Sequence, residues 1–266
     1  MDLGLTNKRV LVTGGYRGTG AGIAASFAAE GATVIVHGFE LGDADAVVET
    51  IAEARGDARA VAGDLLTEAG ADALAETVLA DGPVDVLVNN YGVAAGPGWT
   101  RTSTPDWLES YERNVLSGVR LAQRLTPAMR EQAWGRVVFL STVGWLRPGP
   151  RTPQYYAAKA ALGSVAVSLA KELSGTGVTV NTVSPGVIRT AEVEAYFRDR
   201  AAKKGWGSDW KDIEPRAIES FMPNPCGRFA EIDEVAAAVV FLASEAAGYV
   251  NAVNLRVDGG AADTIV

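Results

Sequence analysis

Short runs of apolar residues alternate with longer alanine-rich segments along this chain. The short runs are rich in Val, Leu and Ile and are bounded by glycine or polar residues, which is typical of β-strands. The alanine-rich segments between them have the length and period of helices. The pattern predicts seven strands, at Arg9–Thr13, Thr33–His37, Arg59–Gly63, Val84–Asn89, Arg136–Ser141, Thr179–Ser184 and Asn254–Val257.

The predicted strands are apolar on successive residues rather than on alternate ones, as in residues 10–12 and 86–88. Strands of this kind have both faces covered, as in parallel sheets with helices on either side. We therefore predict a Rossmann-type, doubly wound, seven-stranded parallel sheet in three layers, α/β/α. No linker, charge block or repeat divides the sequence, so we expect residues 1–266 to form a single domain.

One region departs from the alternation of strands and helices. Residues 191–226 contain helical pieces but no predicted strand, and they carry aromatic residues such as Trp206, Trp210 and Phe221. Long insertions in compact domains are commonly functional, and disordered segments rarely hold so many aromatic rings. We predict that residues 191–226 form a substrate-binding lid.

Charge and residue usage exclude several functions. The chain has 24 Lys and Arg against 32 Asp and Glu, and this net charge of −8 disfavours nucleic acid and membrane surfaces as partners. His37 and Cys226 are the single histidine and cysteine, so an internal disulfide and a Cys/His zinc site are excluded, and we expect no metal. No Gly-x-Ser-x-Gly motif accompanies His37 as in a hydrolase triad. The sequence shows neither a secretory signal nor an apolar stretch long enough to span a membrane, so we expect a cytoplasmic protein.

A glycine-rich turn follows the first predicted strand. Residues 13–20 read TGGYRGTG, and a helical run begins directly after them. Glycine permits left-handed backbone and close approach of the chain to a pyrophosphate, which then lies on the N–H groups that open the helix. A tight turn without any ligand is the alternative interpretation. The position between a strand and a helix favours a dinucleotide site.

A tyrosine and a lysine, Tyr155 and Lys159, lie four residues apart in an alanine-rich helical segment. Residues with this spacing share a helix face, so the ammonium can approach the phenol. A nearby cation favours the ionised phenolate, so we expect Lys159 to lower the pKa of Tyr155 and make it a usable general acid and base. A surface contact between the ring and the lysine is the alternative.

The spacing Gly14-x-x-x-Gly18-x-Gly20, together with this pair, resembles the short-chain dehydrogenase/reductase family. Further segments share the resemblance in the order in which the family has them, and much of the chain is similar to the family's 3-oxoacyl-[acyl-carrier-protein] reductases. These segments are Asp64-Leu65, Asn89-Asn90-Tyr91-Gly92, Asn181-x-x-Ser184-Pro185-Gly186 and Arg256-Val257-Asp258-Gly259-Gly260. They span nearly the whole chain, and residues 191–226 lack a recognisable match.

The resemblance implies a nicotinamide cofactor and assigns residues to it. It implies that Asp64 and Leu65 bracket the adenine, that Asn90 supports the sheet beside the cofactor, and that residues 185–190 hold the nicotinamide end. Tyr91 departs from the small residue that is usual there. The cofactor-binding residues that the resemblance implies are Gly14, Tyr16, Arg17, Gly18, Thr19, Gly20, His37, Gly38, Asp64, Leu65, Asn90, Gly92, Tyr155, Lys159, Pro185, Gly186, Val187, Ile188 and Thr190.

The choice between NADP(H) and NAD(H) depends on the adenosine 2′ position. A carboxylate at the end of the second strand accepts hydrogen bonds from the ribose of NAD and repels a 2′-phosphate. Gly38 stands where NAD-using relatives have Asp, and Arg17 stands where NADP-using relatives often have a basic residue. An arginine can bind a phosphate dianion through charge-assisted hydrogen bonds. The sequence therefore favours NADP(H), with NAD(H) as the alternative cofactor. For Arg17 itself, the alternative interpretation is a solvated surface arginine without a role in binding.

The family also has a substrate-binding hydroxyl about 13 residues before the tyrosine. Counting back from Tyr155 reaches Thr142, where most relatives have Ser, and Ser141 lies next to it. Either hydroxyl can donate to a carbonyl, and spacing prefers Thr142. Asn114 matches the asparagine that relays protons through water to the lysine. The implied reaction is hydride transfer between nicotinamide and a carbonyl or secondary alcohol, with Tyr155 as the proton donor.

Aromatic residues near the catalytic end predict an apolar or cyclic small-molecule substrate. The candidates are Trp99, Trp145, Tyr196 and Phe197, and simple packing of the lid is the alternative. A 3-oxoacyl-[acyl-carrier-protein] reductase is a second candidate function. Relatives of that kind dock their acidic carrier with basic residues at positions that here read Ala133 and Thr176. A third candidate is a nucleotide-binding sensor without turnover.

The helix expected to carry Tyr155 is lined with small residues, among them Ala157, Ala161 and Gly163. Small residues allow helices to approach closely, and in the family this helix and the segment equivalent to Thr104–Arg130 pack across a subunit interface. We therefore predict a homotetramer, or failing that a dimer.

Overall fold

The computed structural model describes residues 2–264. Seven parallel strands form one sheet in the order β3-β2-β1-β4-β5-β6-β7. Their bounds are β1 Arg9–Val12, β2 Thr33–Gly38, β3 Asp57–Ala62, β4 Val86–Asn89, β5 Gly135–Leu140, β6 Val178–Pro185 and β7 Asn254–Val257. The prediction of a doubly wound parallel sheet is confirmed.

Helices cover both faces of the sheet. They are α1 Gly18–Ala29, α2 Asp45–Glu53, α3 Glu68–Leu79, α4 Thr104–Tyr111, α5 Ser117–Glu131, α6 Pro153–Glu172, α7 Ala191–Lys204, α8 Trp210–Phe221 and α9 Ile232–Ala243. Successive residues of β1 supply the two cores that these helices bury. Val10 and Val12 pack on the side of α1 and α9, whereas Leu11 packs on the side of α3, α5 and α6.

Six of the seven strands differ from their predicted bounds by one or two residues at one end or both, and β7 has the predicted bounds. The third strand begins at Asp57 rather than at Arg59, because Asp57 pairs with Thr33 at the start of β2. Pairing with a neighbouring strand decides where a strand begins, and the apolar pattern of one strand does not contain that information.

Residues 191–226 form α7 and α8 and contain no strand, as the sequence predicted. They have a small core of their own beside the two main ones. Its buried residues are Phe197, Ala201, Ile213, Ala217, Ile218 and Phe229. This core joins α7 to α8 and includes Phe229 from beyond the segment.

Within residues 2–264 no helix has the length and apolar character that crossing a bilayer requires. The same residues contain no cluster of His, Cys, Asp or Glu that could hold a metal ion.

Candidate active site

A cleft of about 500 Å³ lies at the carboxyl ends of β1 and β4. β1 is paired with β2 on one side and with β4 on the other, so the chain reverses its direction of travel across the sheet here. Ligands of doubly wound folds bind at such a reversal. The residues lining the cleft are Gly14, Tyr16, Arg17, Gly18, Thr19, Gly20, Phe39, Leu66, Asn90, Tyr91, Gly92, Val93, Arg113, Thr190 and Glu192.

The glycine turn after β1 is built from backbone in close contact. Gly14 and Gly18 have φ of +58° and +52°, the left-handed region that favours glycine. A Cβ on Gly20 would lie 2.3 Å from the Gly14 carbonyl oxygen, so this position also requires glycine. Asn90 donates from Nδ2 to the carbonyl oxygens of Thr13 and Gly14 at 2.9 and 3.1 Å and fixes the turn to β4.

The N-terminus of α1 opens onto the cleft. Gly18, Thr19 and Gly20 line it, and among the described residues no side chain caps this helix end and no acidic residue lies in its first turn. The first N–H groups of a helix and its dipole attract an anion. The cradle therefore fits the pyrophosphate of a dinucleotide.

His37 was expected to contact the cofactor, and the structure corrects this. The imidazole is buried beneath the glycine turn, where Nδ1 accepts from the Gly14 N–H at 3.2 Å and Nε2 lies 3.0 Å from the Gly63 carbonyl oxygen. This pair of bonds requires a neutral ring with its proton on Nε2. Burial lowers the pKa of His37, consistent with the neutral form. His37 supports the turn from below and does not line the cleft.

Gly38 is buried at the end of β2, and it does not line the cleft either. The space beside it is filled by Asp43, since a Cβ on Gly38 would lie 2.4 Å from the Asp43 Cβ. The Asp43 carboxylate accepts from the N–H groups of Phe39 and Glu40 at 2.9 and 3.0 Å. The sequence interpretation missed this carboxylate because it lies five positions beyond the strand end at which it folds back.

The adenosine side of the cleft is more aromatic than predicted. The rings of Phe39 and Tyr91 meet edge to face with centroids 4.7 Å apart, and both residues line the cleft. Leu66 lines the cleft, whereas Leu65 is buried in the core, which corrects the assignment of the Leu65 side chain. Asp64 accepts from the Leu66 N–H at 2.8 Å and shapes this loop.

Ser141 and Thr142 follow β5 and differ in how their hydroxyls are engaged. Ser141 is buried and its Oγ donates to the Lys159 carbonyl oxygen at 2.8 Å, so its proton is already used. Thr142 is partly exposed, and its Oγ1 accepts from the Gly144 N–H at 3.1 Å. A hydroxyl that accepts at its oxygen still has its proton to donate. Thr142 is thus able to donate to a substrate oxygen, whereas Ser141 anchors β5 to α6.

Tyr155 and Lys159 lie on the first turns of α6. Lys159 is buried and donates from Nζ to the Leu140 carbonyl oxygen at 2.7 Å. Burial lowers the pKa of Lys159 to about 8. Burial, with Tyr156 alongside, raises the pKa of Tyr155, so the expectation that Lys159 lowers it is wrong for this arrangement. The Lys159 ammonium is bonded to the Leu140 carbonyl oxygen, and burial is the main cause of the raised pKa of Tyr155.

Asn114 lies in a widened π-helical turn, Glu112–Leu116, between α4 and α5. Such turns re-aim one side chain of a helix and are frequent at functional sites. The Asn114 side chain accepts from the Val93 N–H at 2.9 Å and donates to the Ser110 carbonyl oxygen at 2.9 Å. A Cβ on Gly92 would lie 2.7 Å from both Asn114 Oδ1 and Lys159 Nζ. Glycine at position 92 keeps the space between the amide and the ammonium open.

A family model described as enoyl-(acyl carrier protein) reductase matches residues 14–262. The 3-oxoacyl-[acyl-carrier-protein] reductase of Aquifex aeolicus is 35% identical, with 98% of this chain and 99% of the relative covered. An uncharacterized oxidoreductase of Bacillus subtilis is also 35% identical, with 98% of each chain covered. The chain belongs to the short-chain dehydrogenase/reductase family.

A solved structure extends this result to the fold. L-Sorbose reductase from Gluconobacter frateurii, complexed with NADPH and L-sorbose, is 31% identical with a TM-score of 0.92, and 100% of each chain is covered. The resemblance inferred from the glycine turn and the Tyr155/Lys159 pair is therefore confirmed. Membership of that family makes this short-chain dehydrogenase/reductase an NAD(P)-dependent oxidoreductase. We therefore set aside the alternative of a nucleotide-binding sensor without turnover.

The stretch expected to hold the nicotinamide end of this short-chain dehydrogenase/reductase divides in the structure. Thr190 lines the cleft, and it also caps α7 by accepting from the Val193 N–H. Pro185 is buried at the end of β6, and Ile188 packs against the core of the α1 side. Gly186 and Val187 line a separate hollow of about 410 Å³ beside Phe229. The side chains of residues 185–188 are thus not part of the cleft.

The predicted substrate residues are partly exposed at hollows of the surface and partly buried in a core. Trp99 is 64% exposed and lines an apolar hollow of about 460 Å³ with Trp107, Trp145 and Tyr156. Tyr196 is 49% exposed. Phe197 is only 2% exposed, because it fills the core of α7 and α8, so its assignment as a substrate contact is wrong.

The sequence interpretation missed Arg113 and Glu192, both of which line the cleft. Arg113 precedes Asn114 on the widened turn and pairs with Glu109 at 2.6 Å, while its Nε is buried without a hydrogen-bond partner in the described part of the chain. Asn114 matches the family's relay asparagine, and this match was a signal that could have pointed to Arg113, the residue before it. Glu192 approaches the cleft from α7, and no local pattern indicates that contact.

Proposed function

We propose that this enzyme transfers hydride between NADP(H) and a carbonyl or secondary alcohol of a small, free molecule. The observation that carries the proposal is one cleft that opens onto an uncapped helix N-terminus and reaches Gly92, where a Cβ would lie 2.7 Å from Lys159 Nζ. Gly18 to Gly20 lie at its anion-binding end, and Gly92, beside Lys159 and Asn114, lies toward the other. The glycine turn and the catalytic residues are too specific together for a passive strand-to-helix turn.

NADP(H) is supported over NAD(H) by two observations. No carboxylate at the end of β2 lines the cleft, since Gly38 has none and that of Asp43 is bonded to the N–H groups of Phe39 and Glu40. Arg17 lines the cleft within the glycine turn. Structures similar to this chain contain NADP or NADPH, including the L-sorbose reductase and an Agrobacterium tumefaciens 3-oxoacyl reductase. An arginine in this place can form charge-assisted hydrogen bonds to a 2′-phosphate.

The residues divide the chemistry between them. When bound, the nicotinamide supplies or accepts the hydride. Thr142 donates a hydrogen bond from its hydroxyl to the substrate oxygen and keeps its proton, which orients the carbonyl carbon. Tyr155 gives its phenolic proton to that oxygen in reduction, and takes it back in oxidation. The Lys159 ammonium and the Asn114 side-chain amide lie beside Gly92. A chain of waters between these two groups would return the proton to Tyr155.

Burial raises the pKa of Tyr155, which keeps the phenol protonated at neutral pH but makes it a weaker acid, so proton donation requires a cation to approach the phenol. Lys159, with its pKa near 8, changes charge close to physiological pH. We propose that Lys159 acts on the ribose and on the phenol only when its ammonium leaves the Leu140 carbonyl oxygen.

We propose an apolar or cyclic substrate covered by residues 191–226. Support comes from the exposed Trp99 and the hollow that it shares with Trp145, which lies three residues after Thr142. An apolar hollow beside a hydrogen-bonding hydroxyl is the usual form of a small-molecule site.

A 3-oxoacyl-[acyl-carrier-protein] substrate is the second candidate, favoured by the similarity to the Aquifex aeolicus reductase. Ala133 and Thr176 are uncharged where such a reductase would be expected to carry basic residues, and the net charge of −8 opposes encounter with an acidic carrier. Arg130 is exposed at the end of α5 and is the nearest basic substitute. We therefore propose that carrier-bound substrates are used poorly.

The deciding experiment measures kcat/KM with NADPH for cyclic and aryl ketones and for an acetoacetyl carrier protein, at low and high salt. We expect the free ketones to be preferred. A carrier substrate preferred at least tenfold, with a preference that weakens as salt rises, would favour the second candidate. Thr142→Ala is expected to lower kcat/KM about a hundredfold or more, and Tyr155→Phe further.

Ser141→Ala is the matched control for Thr142→Ala, because it removes the neighbouring hydroxyl that is bonded to the Lys159 carbonyl oxygen. We expect it to lower the melting temperature while leaving kcat/KM within a few-fold of the unmodified value. A larger loss of kcat/KM for Ser141→Ala than for Thr142→Ala would reverse the assignment.

We also propose a homotetramer. Support comes from large apolar side chains that are exposed on several elements, Leu108 on α4, Val167 on α6, Phe241 on α9 and Tyr249 before β7. Exposed apolar side chains are often covered by a partner subunit. Light scattering at micromolar concentration tests this, and a monomer would contradict it.

A further inference from the structure

We propose that Glu192 competes with the 2′-phosphate of NADPH for Arg17. Glu192 would thereby set how strongly the enzyme discriminates between NADPH and NADH. The inference rests on the proposed function for the location of the cofactor. It adds a specificity-determining residue that lies outside the glycine turn, on α7.

The Glu192 carboxylate lies beside Arg17 and the N-terminus of α1, the two groups that would attract a phosphate. Glu192 Oε1 lies 3.2 Å from Arg17 Nη1, and both side chains are more than half exposed, at 56% and 65%. A Cβ on Gly18 would lie 4.0 Å from Glu192 Oε2, so the carboxylate also lies over the first residue of α1. Glu192 therefore faces both the cation and the helix N-terminus that a phosphate would use.

The cleft has no other negative side chain. Of its lining residues in the described part of the chain, Glu192 alone is acidic, whereas Arg17 and Arg113 are basic. Arg113 already pairs with Glu109 at 2.6 Å. Arg17 is thus the cation that both Glu192 and a bound phosphate can reach at this end of the cleft.

The Glu192 carboxylate also has favourable interactions other than the one with Arg17. The hydrogen bond to its own backbone and the Thr190 hydroxyl lower the pKa of Glu192, with a further contribution from Arg17. It lies in the first turn of α7, where a carboxylate is favoured by the helix dipole. When Arg17 leaves, the carboxylate keeps these partners, so the contact with Arg17 is what a phosphate has to displace.

This competition affects the two cofactors unequally. A 2′-phosphate carries close to two negative charges and can take Arg17 from a carboxylate. NADH has a hydroxyl at that position, so Arg17 can remain with Glu192 when NADH binds. Removing the Glu192 charge therefore helps NADPH more than NADH.

The test measures the Kd of NADPH and of NADH by fluorescence titration for the unmodified enzyme and for Glu192→Gln. Because the pair is exposed, we expect about a two- to fivefold gain in NADPH affinity and less than a twofold change for NADH. The gain should shrink as salt is raised. Asp199→Asn is the matched control, since it removes a carboxylate of another exposed ion pair of α7, with Lys203 at 2.6 Å.

A second arm places Glu192→Gln in an Arg17→Ala background, where the selective gain should disappear. An equal gain for both cofactors, no gain, or a gain that survives Arg17→Ala would overturn the inference. Its failure is distinguishable from failure of the proposed function. If the unmodified enzyme binds NADH more tightly but Glu192→Gln shifts the ratio toward NADPH through Arg17, the proposed cofactor preference fails while the role of Glu192 holds. An enzyme that binds neither cofactor would overturn both.

Discussion

The turn between β1 and α1 and the segment of α7 and α8 flank the same cleft but are held in place in different ways. The turn is fixed by its own backbone, by left-handed glycines and by bonds from Asn90 and His37 to main-chain atoms. The α7 and α8 segment is held by side chains that pack in a separate small core around Phe197 and Phe229.

This difference indicates what each region tolerates. A backbone-built turn depends on the absence of side chains and on a few hydrogen bonds, so one added methyl group is enough to disturb it. A region built from apolar contacts depends on volume, and it can loosen without disturbing the sheet. The two regions touch through Arg17 and Glu192, so each can be altered while the other reports the result.

The largest effect is expected from Phe197→Ala. It leaves a cavity in the small core and should cost about 3–5 kcal/mol of the local stability of residues 191–226. Limited proteolysis and hydrogen exchange should show loosening of this segment, while NADPH binding changes little. Tyr196→Ala, at the exposed neighbouring position, is the control and should leave exchange unchanged. Uniform destabilisation of the whole domain would show that the segment is not a separate unit.

The next largest effect is expected from Gly20→Ala in the turn. The added Cβ would meet the Gly14 carbonyl oxygen and Asn90 Nδ2, at 2.3 and 2.5 Å. Overpacking of this kind costs about 1–3 kcal/mol, which corresponds to roughly a five- to 150-fold loss of NADPH affinity if it falls on the bound form. Calorimetric titration measures this.

Gly149→Ala is the matched control for Gly20→Ala, because its Cβ would make only ordinary contacts, 3.9 Å from Tyr156. Its NADPH affinity should equal that of the unmodified protein. Equal losses for the two variants would mean that the turn is no more demanding than a surface loop.

A smaller effect concerns pH and His37. Burial lowers its pKa below the ordinary 6.5, so the folded chain binds this proton less readily than the unfolded chain. The stability that the neutral ring contributes is therefore complete above about pH 6.5 and is lost as the pH falls below it, by at most about 1.4 kcal/mol per pH unit. Protonation would also place a proton on Nδ1, which now accepts from the Gly14 N–H.

His37 is the single histidine, so its proton resonances can be followed without assignment. We expect an NMR titration with a midpoint below 6.5. His37→Gln, whose amide can accept from Gly14 and donate to Gly63, should flatten the dependence of the free energy of unfolding on pH between 5 and 7. A midpoint at or above 6.5 would contradict the burial argument.

The smallest effect is expected from Arg189→Gln. Arg189 joins α7 to the region before α9 through Glu194 and Glu231 at 2.9 and 3.4 Å, and all three side chains are partly exposed. Exposed ion pairs contribute little, so we expect a loss below about 1 kcal/mol in thermal unfolding. A loss comparable to that of Phe197→Ala would mean that charge rather than apolar packing holds the segment.

Several features were predictable because they are local. The strand Asn254–Val257 was predicted with its observed bounds, and the glycine turn was placed correctly after β1. The prediction of Phe197 as a substrate contact failed because a helix shows its aromatic residues in sequence but not which face another helix covers. The pKa of Tyr155 was predicted in the wrong direction for a similar reason, since spacing gives a shared face and not the partner of the ammonium.

The sequence by itself determined the order of strands and helices, the glycine turn and the residue types of the catalytic group. The elements follow from short apolar runs and the helical period, the turn from the backbone freedom of glycine, and the catalytic residue types from the Tyr155/Lys159 spacing and the family resemblance. All of these can be seen within short windows of sequence. Only the tertiary structure decided that His37 lies beneath the turn, that Asp43 fills the space at Gly38, and that Glu192 reaches Arg17 across 175 positions of the chain. Such contacts depend on how distant elements pack, and no local period records the distance between them.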